Sequence, residues 1–176
     1  MERTLRSTRA FDGRIIGVRV DEVERPDGRH ASREIVEHPG AVAILAWDGA
    51  RLAMVRQWRH AAGDVLLEIP AGTMEENEEP LATARRELAE EMGITADSWT
   101  PGPSFYTAPG FCTERLTLFL ATGLHEVETP APDDEQIERE WLSLSEALEG
   151  VDDGRVADAK SIAGILWLAA RLPDVA

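Results

Sequence analysis

The chain has 176 residues, 43% of them hydrophobic, and a formal net charge of −15. That length and composition fit one globular domain with a real core, while the acidity disfavours general nucleic-acid binding, which needs a basic surface. No apolar run approaches the roughly 20 residues of a membrane span, the first residues lack the apolar core of a secretory signal, and one cysteine, Cys112, leaves no internal disulfide. These features fit a cytoplasmic protein without a nucleic-acid or membrane partner. A polyanionic substrate would be repelled unless metal ions and local arginines intervened.

Residues 3–11 are a weak strand candidate. Residues 15–25 partly alternate, Pro26-Asp27-Gly28 predicts a turn, and 29–38 returns as the partner strand. This ribbon is polar and needs cover from the main domain or a second subunit to stay folded. Residues 1–39 are therefore read as an N-terminal β-ribbon region and 40–176 as the main domain. Residues 41–47 have the composition of a buried strand, and Asp48-Gly49 turns into a second strand over 51–58. A loop at 60–64 leads to the strand VLLEIP, ending at Pro70-Ala71-Gly72.

The stretch Gly72 to Ile94, GTMEENEEPLATARRELAEEMGI, organises the chain. Pro80 suits the first turn of a helix and Gly93 its left-handed C-terminal cap. Leu81, Ala84, Leu88 and Met92 fall on one stripe at helical spacing. Glu87, Glu90 and Glu91 share a neighbouring arc within one turn of each other. Such carboxylates repel one another. They read either as a solvated acidic face or as the clustered hard oxygen ligands that Mg²⁺ or Mn²⁺ requires.

Further strands are predicted at 103–107 and 115–122, then a loop, ETPAPDDEQ, over about 128–136. A short strand, IEREWLSL, precedes a helix from Ser145, and Asp158 to Leu172 is an amphipathic helix carrying Ile162, Ile165, Leu166 and Leu168. Strands, a helix, more strands and then helices make an α+β fold with a mixed sheet between helical layers. Trp47, Trp58, Trp99, Trp141 and Trp167 are read as core, and His30, His38, His60 and His125 show no ligand spacing.

The 72–94 stretch resembles the Nudix box: Gly, five residues, Glu, seven residues, Arg-Glu, an aliphatic, any residue, Glu-Glu, any residue, Gly, an aliphatic. The resemblance implies an α/β/α sandwich and metal-dependent cleavage of a diphosphate linked to another moiety. Outside the box, REIVEHPGAV (33–42), VRQWR (55–59), YTAPGFCTERL (106–116) and DGRVADAKSIAGILWL (153–168) resemble the ADP-ribose pyrophosphatase group, whose proline position Pro109 matches. That group implies hydrolysis of ADP-ribose to AMP and ribose 5-phosphate with two or three Mg²⁺ or Mn²⁺ ions. It also implies a homodimer that exchanges its N-terminal ribbons.

By the same resemblance Glu87 and Glu91 are metal ligands, Glu90 is the third, and the carbonyl of Ala71 is a further one. Arg86 orients the glutamates and, with Glu90, belongs to the catalytic set; Glu78 supports the turn into the helix, and Gly72 serves backbone shape. The general base comes from the loop before the 137–143 strand, where Glu135 matches best and Asp133 and Asp134 are rivals. Arg33, Arg59, Gly110 and Glu114 match substrate-binding positions. Adenine needs a flat partner, which Phe11 or an aromatic of the other subunit would supply. Two other functions compete: a Nudix hydrolase of another nucleoside diphosphate derivative, such as a nucleotide sugar or NADH, and a non-catalytic Nudix-fold ligand sensor, which predicts a broken box.

Overall fold

The structure, a computed structural model, describes residues 1–128 and 137–172. It divides into two compact units: Met1–Gly40 with Phe105–Arg115, and Ala41–Ser104 with Leu116–Ala176. Among the described residues no helix is long and apolar enough to cross a membrane.

The first unit is a three-stranded antiparallel sheet of β1 (Arg3–Asp12), β2 (Gly17–Glu24) and β3 (His30–Glu37), with β2 in the middle. The weakly patterned residues 3–11 thus form a full strand, exposed along its whole length. Its pattern is faint because no face of it is buried. Ion pairs link the strands: Arg3 to Glu24, Arg6 to Glu22, and both Arg9 and Arg19 to Glu37. Exposed pairs of this kind contribute little each. Leu5, Phe11, Ile15 and Ile16 remain exposed. Residues 111–113 lie along β3, where Val36 donates to the Phe111 carbonyl and Thr113 donates back to that of Val36.

The second unit is built on β4 (Ala41–Ala46), buried at every residue. Its neighbours are β7 (Ala71–Thr73), antiparallel to it, and β9 (Arg115–Glu126), parallel to it; β8 (Ile94–Tyr106) lies beyond β9. A second sheet has β5 (Arg51–Arg59) between β10 (Ile137–Ser143) and β6 (Asp64–Glu68), all antiparallel. The Asp48-Gly49 turn into β5 forms as its chemistry requires. Asp48 Oδ1 accepts from Ala50 N and Arg51 N, and Gly49 takes a φ of 102°.

Helix α1 (Pro80–Met92) covers one face of β4, packing Ala84, Leu88 and Met92 against Val42, Ile44 and Ala46. Helix α3 (Ala159–Ala169) covers the other: a Cβ on its Gly164 would lie 2.9 Å from Ile69 and 3.2 Å from Leu45. Helix α2 (Leu144–Asp152) packs on α3 and β10. This is the mixed α+β arrangement expected, with helices on both faces of β4.

Several boundaries differ from those the sequence predicts. The 103–107 strand begins at Ile94, directly after α1; its two prolines and mostly unburied side chains hide the pattern. Helix α2 starts at Leu144 because Ser143 caps it in a reciprocal capping box with Glu146. Asp158 is the N-cap of α3, and the helix ends at Ala169. Its buried stripe is Ser161, Gly164, Ile165 and Leu168, while Leu166 is 50% exposed. Small residues face the sheet here, a feature that counting large apolar residues misses. Trp58 is likewise 55% exposed rather than core.

Leu88 is fully buried between α1 and β4. Leu88→Ala should destabilise the protein by about 2–5 kcal/mol, measured by urea denaturation.

Candidate metal and catalytic centre

The site is assembled where β7, the loop after it and α1 meet. Gly93 ends α1 in the left-handed conformation, with a φ of 65° and its N–H on the Ala89 carbonyl. The helix is thereby set with its acidic arc beside β7. Arg86 is the hub. Its Nε and Nη2 each donate to Glu78 at 3.1 Å, a two-pronged grip. Its Nη1 donates to Glu87 at 2.7 Å and to Glu90 at 3.2 Å, and Nη2 also reaches the Thr73 carbonyl at 3.4 Å.

Glu78 also accepts from Glu75 N at 3.1 Å, so it ties the loop to the helix. The Arg86 hydrogen bonds hold its carboxyl at about 2, well below the ordinary 4.5. Conversely, the hydrogen bond to Glu78 raises the Arg86 pKa further, and the guanidinium stays charged. Glu91 is 4% exposed, and its Oε2 accepts from Ala71 N at 3.1 Å. Ala71 is itself in register with Ala43 of β4.

Gly72 has a reason other than backbone shape. Its φ is not positive, but a Cβ there would lie 1.9 Å from Cδ of Glu87. Glycine at 72 therefore makes the space that the Glu87 carboxylate occupies. Three carboxylates on one arc, one of them buried, beside a strand that offers backbone carbonyls, are a hard-oxygen donor set suited to Mg²⁺ or Mn²⁺. Among the described residues no three such side chains already converge on a metal-sized space. Glu87 and Glu90 are drawn to Arg86.

Arg59, a sequence-predicted substrate contact, lies in the same unit and grips the buried Glu68, with Nη2 at 2.6 Å and Nε at 3.1 Å. Lys160 completes that cluster, 2.7 Å from Glu68 and 2.8 Å from Asp158. Burial pushes the Glu68 carboxyl up, but Arg59 and Lys160 outweigh it and hold the group below its ordinary range. Sequence reasoning passes over Glu68, Lys160 and Ser161. The signal is present in VLLEIP, one acid inside an apolar strand.

Arg33, Gly110 and Glu114 belong to the first unit. Arg33 is paired with Glu2 and donates to the Ser32 carbonyl at 2.8 Å. Glu114 accepts from the Thr107 hydroxyl at 2.5 Å. His38 Nδ1 accepts from Gly40 N at 3.1 Å and lies 3.7 Å from Glu114. Gly110 has open space where a Cβ would stand. Glu135, Asp133 and Asp134 lie outside the described residues.

Residues 36–163 match the NUDIX domain, and residues 2–36 match the nucleoside diphosphate sugar hydrolase N-terminal domain. The chain is 42% identical to an ADP-ribose pyrophosphatase of Bacillus subtilis (strain 168), over 95% of this chain and 92% of that protein. It is 39% identical to a methanol dehydrogenase activator of Bacillus methanolicus over the same shares. It is 41% identical to an ADP-ribose pyrophosphatase of Mycobacterium tuberculosis (strain ATCC 25618 / H37Rv), over 93% and 81%. The fold matches that of a crystal structure of an ADP compounds hydrolase with a TM-score of 0.88 and 18% identity, covering 98% of this chain and 95% of that one.

The lowered Glu78 pKa has a definite sign. A depressed carboxyl pKa contributes stability above the unfolded value, which is lost as pH falls from 4.5 through about 2. Glu78→Gln should lower Tm at neutral pH, and its Tm difference from the parent should shrink across that window in calorimetric scans. Gly72→Ala meets the mobile end of a side chain, so the fold should survive. Displacing Glu87 should weaken Mn²⁺ binding about tenfold or more, measured by isothermal titration.

Proposed function

The chain belongs to the Nudix family, and on that premise we propose that it hydrolyses the diphosphate bond of ADP-ribose to AMP and ribose 5-phosphate. The observation that carries the reading is the intact acidic centre around Arg86, held in a chain 42% identical to an ADP-ribose pyrophosphatase. An unbroken box with every acid in place stands against a non-catalytic sensor.

Glu87, Glu90, Glu91 and the Ala71 carbonyl would hold Mg²⁺ or Mn²⁺, two or three ions per site. Bound there, the ions supply positive charge against the diphosphate and lower the pKa of water. Arg86 sets the glutamates by its hydrogen bonds, and its permanent charge relieves their mutual repulsion. Glu135 takes the proton from the water as its oxygen attacks one phosphorus. The P–O bond to the bridging oxygen breaks, and the other phosphate departs with that oxygen. Arg33, Arg59, Gly110 and Glu114 take substrate contacts.

Exchange of the N-terminal ribbon in a homodimer is supported by the exposed Leu5, Phe11, Ile15 and Ile16, whose apolar surface a second copy would cover. A nucleoside diphosphate sugar is the second substrate reading, favoured by the match of residues 2–36 to the N-terminal domain of hydrolases of such sugars.

The test is a Mg²⁺-dependent assay of ADP-ribose against ADP-sugars, other nucleotide sugars, NADH and dinucleoside polyphosphates in ¹⁸O-labelled water. Fastest turnover of ADP-ribose is expected, and the labelled product identifies the phosphorus attacked. Faster turnover of a nucleotide sugar would replace the substrate and keep the chemistry. Glu91→Gln should abolish turnover in a folded protein; retention of most activity would refute its place at the metal centre.

A further inference from the structure

Outside the acidic centre, a polar cluster of the second unit joins Glu68, Arg59, Lys160 and Asp158. Glu68 is 2% exposed, and the Lys160 side chain 13%. Relative to well-packed apolar side chains, a buried ion pair contributes little net stability. The consequence of this one is geometric, because Glu68 lies only three residues before Ala71.

Residues 68 to 71 are held one after another, the first two by α3, the third by β4 and the fourth by α1. Glu68 is gripped by Lys160 of α3. Ile69 N donates to Oγ of the fully buried Ser161, also of α3, at 2.9 Å. The Pro70 carbonyl accepts from Ile44 N of β4 at 2.8 Å. Ala71 N donates to Glu91 of α1 at 3.1 Å. Extended chain advances about 3.3 Å per residue, so fixing Glu68 and Ile69 leaves little slack in where Ala71 stands. A second observation is independent of the polar bonds. Gly164, one turn along α3, approaches Ile69 so closely that a Cβ would lie 2.9 Å from it. Helix α3 is thus clamped to this strap by charge, by a hydroxyl and by packing.

We propose that Lys160 and Ser161 are positioning residues for the metal centre: by locking Glu68 and Ile69 to α3 they set the Ala71 backbone, and through its N–H the Glu91 carboxylate. The inference rests on reading Ala71 and Glu91 as metal ligands. Neither Lys160 nor Ser161 is assigned a contact with substrate.

The experiment uses the full-length chain with Lys160→Met, Lys160→Arg, Ser161→Ala and Glu91→Gln. Mn²⁺ is titrated without substrate, following free Mn²⁺ by electron paramagnetic resonance, and kcat, KM and Tm are measured alongside. Lys160→Met should raise the Mn²⁺ Kd about tenfold or more and lower kcat correspondingly, with KM for ADP-ribose little changed. Ser161→Ala should move the same way by less, and Lys160→Arg should restore most of the affinity. Ser161→Ala removes no charge and carries the test if Lys160→Met does not fold. Parental Mn²⁺ affinity in Lys160→Met and Ser161→Ala, with binding lost in Glu91→Gln, would overturn the positioning role and leave the metal centre standing. Parental affinity in Glu91→Gln would overturn the ligand reading and this inference with it.

Discussion

The guanidinium of Arg86 donates to Glu78, Glu87 and Glu90 and to the Thr73 carbonyl, and the centre depends on that convergence. Carboxylates within one helical turn repel each other and oppose the helix that carries them. A planar cation with five donors can serve several of them at once; a lysine ammonium, with three donors on a point charge, cannot reproduce the fork on Glu78. Arg86 also spans sequence distance. It joins the loop at Glu78, the strand end at Thr73 and its own helix, so the acidic arc and the backbone of β7 are fixed together.

The helix face beside it solves a different problem, that of bringing a carboxylate against a strand. Gly72 supplies room for Glu87, and Ala71 N supplies a donor for the buried Glu91. A buried carboxylate without donors would be costly, and the strand edge offers one. Behind the strand, α3 holds residues 68 and 69, and β4 lies between the two helical layers. The site is supported from both faces of the sheet, although Glu87, Glu90 and Glu91 come from one helix.

The first unit is built on another logic. Its strands are joined by arginine–glutamate pairs on exposed faces, and it leaves large apolar side chains uncovered. Short polar ribbons of this kind have little independent stability. Most of its arginines pair with acids of the same unit, Arg33 with Glu2 among them.

The sequence by itself determined the α1 box, its stripe of Ala84, Leu88 and Met92, its glycine cap, the buried β4 and the α+β class. These rest on local spacing and turn chemistry, which a linear reading registers directly. It also placed Glu87, Glu90, Glu91 and Arg86 on one helix, since residues within one turn are neighbours wherever the helix lies. Only the tertiary structure decided that Gly72 is small for the sake of Glu87, that Glu68 meets Lys160 across 92 residues, and that Ser161 rather than Leu166 faces the sheet. It likewise decided that Arg59 is bound to Glu68 and that β8 begins directly after the helix. Each of these depends on which surfaces meet after the sheet has closed. That is set by long-range packing, and a small or charged residue carries no mark in the sequence of the partner it will meet.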